Sequence, residues 1–209
     1  MTTTTFPADA AKRLTTWLET HDLGWGLGNE YSTCSIGAIN LALNGELTNR
    51  IPDCMSEVTG RWVIRIQDAM PDGLRNSAEW KSLLPRAAGT GREHETERIT
   101  IIMDWLFETV LPIIQPTADA NGFGPQWRRM CDERTAKASW DIYGARAAVA
   151  ALWASEASDY ATDASRAASD SDPSAAWRAA AAARSVAKVN PDAWSTIDPC
   201  ALLQRLIEA

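Results

Sequence analysis

The chain reads as an all-α protein, a helical bundle with an Ala-rich helical hairpin in its C-terminal third. Three observations predict this. No segment sustains the apolar/polar alternation of a half-buried strand, and Val and Ile fall inside helical patterns instead. Residues 136–189 hold 21 alanines in 54 positions, and Ala is the strongest helix former. Asp172-Pro173, Asn190-Pro191 and Asp198-Pro199 each pair a capping side chain with a proline suited to the first helical position.

The elements follow in order. Residues 9–20 place Ala10, Leu14, Trp17 and Leu18 on one side of a helix. Residues 35–44 carry Ile36, Ile39 and Leu43, with Gly45 as a left-handed stop. A third helix spans 56–70 through Val58, Trp62, Ile66 and Met70 and ends at Pro71; a short fourth spans 77–84 and stops before Pro85. The fifth starts at Arg92 and runs to about Gln115. With Glu93 at 0° and about 100° per residue, Ile99, Ile102, Met103, Leu106 and Val110 fall between roughly 180° and 280°, a buried face that Pro112 bends in its last turn. In the Ala-rich stretch, Trp153, Tyr160 and Ala167 are seven apart, as are Trp140 and Ala147, which suggests a close-packed antiparallel hairpin. Leu202, Leu203, Leu206 and Ile207 form a C-terminal amphipathic helix that docks back on the body. The expected organisation is a helical core over residues 1–135, bearing the candidate ligand loops, and the hairpin with its docking helix over 136–209, packed with the core as one compact unit.

Composition narrows the function classes. The 209 residues are 45% hydrophobic and 22% charged, with 20 basic and 27 acidic side chains, a net charge of −7. That is too apolar for a disordered chain and too acidic for a general phosphate-backbone binder, so no nucleic-acid partner is expected. Residues 1–7 lack the pattern of a secretory signal, and residues 99–114 are interrupted by Asp104 and Glu108 and too short to span a bilayer. Cys34, Cys54, Cys131 and Cys200 show no zinc-like spacing. Reduced thiols, a cytoplasmic location, no membrane partner, no metal and no cofactor are the expectations.

Two loops stand out as anion sites. Gly89-Thr90-Gly91-Arg92 precedes a helix start, where free N–H groups and the positive dipole end favour an anion. Arg92 in that first turn opposes the dipole, a cost that a ligand phosphate would reverse; the plainer role of Thr90 is a cap. Gly122-Phe123-Gly124-Pro125 leads into Trp127, Arg128 and Arg129, a ring and a guanidinium suited to a base and a phosphate. Arg61, Trp62 and Arg75 are reserves for the same purpose.

Other patterns carry less. Glu93, Glu97, Asp104 and Glu108 lie within roughly 60° of one another on one helix, as in helical Mg²⁺-dependent hydrolases, but opposite the apolar face, where such ligands would not project inward. Gly24-Trp25-Gly26-Leu27-Gly28 resembles a dinucleotide fingerprint without the strand that motif requires, and reads as a flexible loop with Trp25 as lid or packing anchor. Cys34 opens a helix, where its pKa is expected to fall, yet His21 and His94, the only histidines, are not placed to pair with it. No catalytic residue is assigned.

The runs Cys34-Ser-Ile-Gly-Ala-Ile-Asn-Leu-Ala-Leu43, Ile51-Pro-Asp-Cys-Met-Ser56 and Leu84-Pro-Arg-Ala-Ala-Gly-Thr-Gly-Arg92 resemble a family of Ala-rich proteins encoded by phages and their bacterial hosts. The similarity covers residues 32–135 and the closing Asp198-Pro199-Cys200, and its motifs match no catalytic signature, so it transfers no functional residue. It implies a small phage-type protein acting against host defence, for example by sequestering a nucleotide-derived signal.

The leading expectation is therefore a non-enzymatic protein that holds a small anionic, nucleotide-like ligand through Thr90, Gly91, Arg92, Trp127 and Arg128, with Arg61 and Trp62 behind them. The rivals are an interaction module that inhibits a host protein through Trp- and Ala-rich surface, and a metal-dependent nucleotide hydrolase built on the carboxylate row. Homo-oligomerisation through the flat Ala-rich hairpin is expected as well. Of the ten tryptophans, only Trp25 and Trp127 lie in or beside glycine-containing loops, which makes these two the functional candidates.

Overall fold

The structure, a computed structural model, describes residues 5–135 and 149–209, with side-chain detail from 152 onward in the second stretch. The expected Trp140–Ala147 pair lies outside the described residues. The protein is all-α, and among the described residues the single bridge between Asn29 and Ser32 is the one strand-like pairing. The chain divides into two compact units, Met1–Arg98 with Cys200–Ala209, and Ile99–Pro199. The 135/136 boundary expected from composition abuts residues outside the described ones.

In the first unit, α1 (Ala8–Thr20) packs on α2 (Ser35–Asn44) and α5 (Ala78–Ala87), and α2 packs on α3 (Glu57–Gln67). A short α4 (Asp72–Arg75) precedes α5. Leu14, Leu18, Ile36, Ile39, Val58, Trp62, Ile66, Trp80 and Leu84 form the core. Trp17 departs from the expected face. It is half-buried, stacks on His21 at 4.6 Å between ring centroids, and donates from Nε1 to the Glu30 carbonyl.

The predicted boundaries hold where local chemistry sets them. Gly45 ends α2 at φ +77°, and the Ser56 Oγ caps α3 by accepting from the Thr59 N–H at 3.0 Å. Pro85 does not stop α5, which continues to Ala87. The missing N–H strands only one carbonyl, and burial of Leu83, Leu84 and Ala87 holds the last turn in place. At α2 the Cys34 Sγ accepts from the Gly37 N–H at 3.3 Å, but burial pushes its thiol above the ordinary value, the reverse of the expected activation.

The fifth predicted helix starts later and runs further. Gly91 and His94 both take left-handed backbone, φ +66° and +65°, so α6 begins at Glu95 rather than at Arg92. After α6 (Glu95–Trp105) the chain makes a π-helical turn over Leu106–Val110 and a 3-10 turn over Leu111–Ile114, then α7 (Gln115–Ala120). The widened turn sits just before Pro112, whose lack of an N–H would break a regular ladder; the Leu111 N–H reaches back to the Leu106 carbonyl instead. The whole run is 26 residues with mean hydropathy 1.3 in its most apolar window, long and apolar enough to cross a bilayer by composition. Ile102, Trp105, Leu106, Val110 and Ile114 are nonetheless packed inside the protein, as in a core helix.

In the second unit, α8 (Gly124–Glu133) packs on α7, and α9 (Val149–Ser169) forms the expected hairpin with α10 (Ser174–Val189). Asn190 caps the next turn as its pairing with Pro191 predicts, whereas α10 begins one residue later than expected, at Ser174 after Pro173, with the Asp172 carboxylate accepting from the Ser174 N–H at 2.8 Å. The buried seam of α9 is Ala154, Ala157, Ala161, Ala164 and Ala167; of the expected Trp153–Tyr160–Ala167 register Ala167 is buried, while Trp153 and Tyr160 lie one position off the seam. Only methyl-sized groups let two helices approach closely, so the rings are displaced to the flanks. There Trp153 lies under the Lys188 ammonium at 3.4 Å, and Tyr160 meets Trp177 edge-on at 6.1 Å. Ala179 to Ala183 of α10 are all fully buried, because the π and 3-10 turns cover the helix as well as α9. After a 3-10 turn (Pro191–Ala193) comes α11 (Trp194–Ile197); α12 (Pro199–Glu208) follows and from Cys200 onward belongs to the first unit. Leu202, Leu203 and Leu206 of α12 are buried, and the Arg98 Nε donates to the Leu206 carbonyl at 2.9 Å, the anchor of the expected docking.

Candidate functional site

The residues expected to bind an anion are largely engaged with the protein itself. The Thr90 Oγ1 accepts from the Ser56 N–H at 3.0 Å and donates to the Ala87 carbonyl at 2.8 Å, so Thr90 pins α5 to α3 and does not cap α6. The Gly91 N–H donates to the Cys54 carbonyl at 2.9 Å. Beside this loop a helix N-terminus does receive an anion, but the helix is α3 and the anion is Glu95. Its carboxylate accepts from the Ser56 hydroxyl and the Glu57 N–H, both at 2.7 Å, and from the Val58 N–H at 3.2 Å. Arg98, 2% exposed, ties the same loop by donating to the Thr90 carbonyl at 3.0 Å.

Arg61 and Arg92 are brought together on one carboxylate, Glu57, at 2.8 and 2.5 Å. Partial burial alone would raise the Glu57 carboxyl, but the two guanidinium groups carry it below the usual range. Trp62 is fully buried, tilted against Trp80 at 6.1 Å, and offers no face for stacking. Trp127 and Arg128 belong to the second unit. Trp127 is also fully buried, donating from Nε1 to the Leu111 carbonyl at 2.8 Å with its ring edge-on to Phe123. Arg128 is exposed, 3.9 Å from the Asp119 carboxylate.

Two members of the carboxylate row are ion-paired. Asp104 and Glu108 hold Arg134 at 2.7 and 2.5 Å and lift its already high pKa. No group of three or more His, Cys, Asp or Glu suited to a metal ion occurs among the described residues. A cavity of about 560 Å³ beside the π turn is lined by Phe107, Glu108, Arg128, Cys131 and Arg134, and burial pushes the Cys131 thiol up to about 12, which keeps that thiol protonated at neutral pH.

The surface that stands free is the loop preceding α2. Trp25 and Tyr31 are 72% and 71% exposed and Leu27 is 36% exposed, the large apolar side chains that the first unit leaves in solvent among the described residues. The backbone carrying them is firmly tied. Gln67 donates to the Gly24 carbonyl at 2.9 Å, Asp68 accepts from the Gly26 N–H at 3.2 Å, and Asn76 accepts from the Leu23 N–H at 2.7 Å. Within the loop the Gly24 N–H donates to the Thr33 carbonyl at 3.0 Å, and Asn29 and Ser32 exchange backbone bonds. Arg75, 2% exposed, donates to the Leu23 carbonyl at 3.1 Å and sets its guanidinium 5.8 Å from the Trp25 ring centre.

The glycines of the motif now have a physical role. A Cβ on Gly28, at φ +61°, would stand 2.1 Å from the Ser32 carbonyl oxygen, and one on Gly24 would stand 2.6 Å from the Ser32 hydroxyl. They permit the tight return of the loop, while Gly26, also at positive φ, faces open space. Trp25, 72% exposed, is not a packing anchor: the loop carries its ring outward. The Gly-Trp-Gly-Leu-Gly spacing marks the loop in the sequence, but not which way the ring points. No protein-family model, characterised protein or solved structure matches the chain.

Proposed function

We propose that the protein is a non-enzymatic interaction module that engages a partner protein through the loop of residues 22–33. The supporting observation is the combination of exposed Trp25, Leu27 and Tyr31 with a backbone fixed from beneath by Gln67, Asp68, Arg75 and Asn76. Large rings held in place lose little entropy on binding, which is why Trp and Tyr dominate interface hot spots. The test is capture from host lysate with the wild-type protein and with the Trp25→Ala/Tyr31→Ala variant. The wild type retains one stoichiometric partner and the variant loses it by at least about tenfold at unchanged Tm, the loss expected from one hot-spot residue. Equal capture by both proteins overturns the reading.

A second reading, binding of a small anionic, nucleotide-derived ligand, keeps one specific support. Arg61 and Arg92 converge on the carboxylate of Glu57 at the first turns of α3, where the Glu95 carboxylate balances the second charge, so the support is the pairing of two guanidinium groups and not a net charge. Titration calorimetry with a panel of mono- and cyclic nucleotides separates this reading from the first. Saturable heat lost in Arg61→Ala/Arg92→Ala supports it; none at millimolar ligand removes it.

A further inference from the structure

We propose that the groove between α1 and α5 is a binding site for a small, neutral, largely apolar molecule that carries one N–H or O–H donor. The groove, about 490 Å³, lies in the size range of small-molecule pockets. Its walls are short of free donors. The Thr15 hydroxyl donates to the Ala11 carbonyl at 3.0 Å and the Ser82 hydroxyl to the Glu79 carbonyl at 2.7 Å. The Lys81 ammonium is held by the His21 carbonyl at 2.9 Å and the Asp22 carboxylate at 3.4 Å, and the Asn76 amide both donates to and accepts from the Leu23 backbone. These four residues line the groove with their polar ends engaged, beside Leu18, Ala78 and Pro85. Glu19 and Lys81 give the lining one charge of each sign, so neither an anion nor a cation is selected.

One acceptor is left over. In a regular helix the Lys81 carbonyl accepts from the N–H of residue 85, and Pro85, inside α5, has none to give. With Lys81 at 0° and about 100° per residue, Pro85, Ala78 and Ser82 fall at roughly 40°, 60° and 100°. A helical carbonyl points along the axis toward the residue four further on. This one therefore lies on the groove-lining side of α5, away from the buried Leu83 and Ala87. Apolar walls with a single acceptor complement a molecule whose carbon skeleton fills the groove while its one donor meets the carbonyl. The site stands apart from the docking role of the 22–33 loop.

The experiment is an amide-resolved NMR titration of the full-length protein with indole and with benzofuran, which has the same shape but an oxygen in place of the N–H. Indole is expected to give saturable shifts centred on the amides of Ala78, Lys81 and Ser82. It should bind at least about threefold more tightly than benzofuran, the difference made by one hydrogen bond. Pro85→Ala returns an N–H to the Lys81 carbonyl, so this variant should keep or raise the Tm and bring the two affinities together. Ser82→Tyr, a change at an exposed wall position, should fill the groove and abolish the shifts. No saturable shift at millimolar indole, equal affinity for the two probes, an unchanged preference in Pro85→Ala, or shifts that persist in Ser82→Tyr overturns the proposal. Tighter binding of N-acetyl-tryptophanamide than of indole would make the occupant a protein side chain and overturn the small-molecule assignment.

Discussion

A single carboxylate can serve as a cap, a counter-ion or a ligand, and its neighbours decide which. Glu57 lies between Arg61 and Arg92, which hold its carboxyl below the usual range. A group whose folded pKa is depressed stabilises the fold above its unfolded pKa, about 4.3, and that contribution disappears as pH falls through the folded value. Glu57→Gln is therefore expected to lower stability by about 1 kcal/mol at pH 7, the range of a partly exposed ion pair, and by much less at pH 3. Urea midpoints of both proteins at the two pH values check this; an equal difference at both would remove the ionic account. Arg92 itself illustrates what the sequence conceals. Its position after Gly91 is visible in the chain, whereas the carboxylate that neutralises it lies 35 residues upstream.

Among the elements, backbone geometry and side-chain size set what substitution tolerates. Gly28→Ala meets both a left-handed backbone and a carbonyl at 2.1 Å, whereas Gly26→Ala meets the backbone cost alone. We expect the first to cost at least about 2 kcal/mol and the second about 1 kcal/mol, with partner capture lost only in the first. In the hairpin, Ala161→Leu forces a branched side chain into a seam of methyl groups and should cost about 1–3 kcal/mol, read as a fall in Tm. The helices with strong local signals were legible: Ser56, Gly45 and Asn190 act where their chemistry places them. The seam register was not, because in an Ala-rich helix the bulky rings draw the eye while the smallest residues make the contact. Nor was the π turn, which depends on how Pro112 is absorbed in three dimensions.

For the whole molecule, charge and assembly are read differently from the chain. With a sequence pI near 4.9, repulsion between molecules vanishes at that pH, so light scattering is expected to rise there and fall again by pH 7. The all-α class and the docking of the last helix follow from periodicity, which is local. The candidate site does not, because it depends on which face of each ring remains uncovered. Trp25 and Trp127 sit in similar glycine contexts, yet one is 72% exposed and the other fully buried.

The carboxylate of Glu95 has a consequence in time as well as in space. The amides of Glu57 and Val58 find their acceptor 38 and 37 residues further along the chain. No nascent stretch ending before that residue can satisfy them, so the first turn of α3 frays until the later segment arrives. In the folded protein the same dependence makes these two amides reporters. Their deuterium uptake is governed by excursions of the 88–95 segment and is decoupled from the opening of the helix they begin.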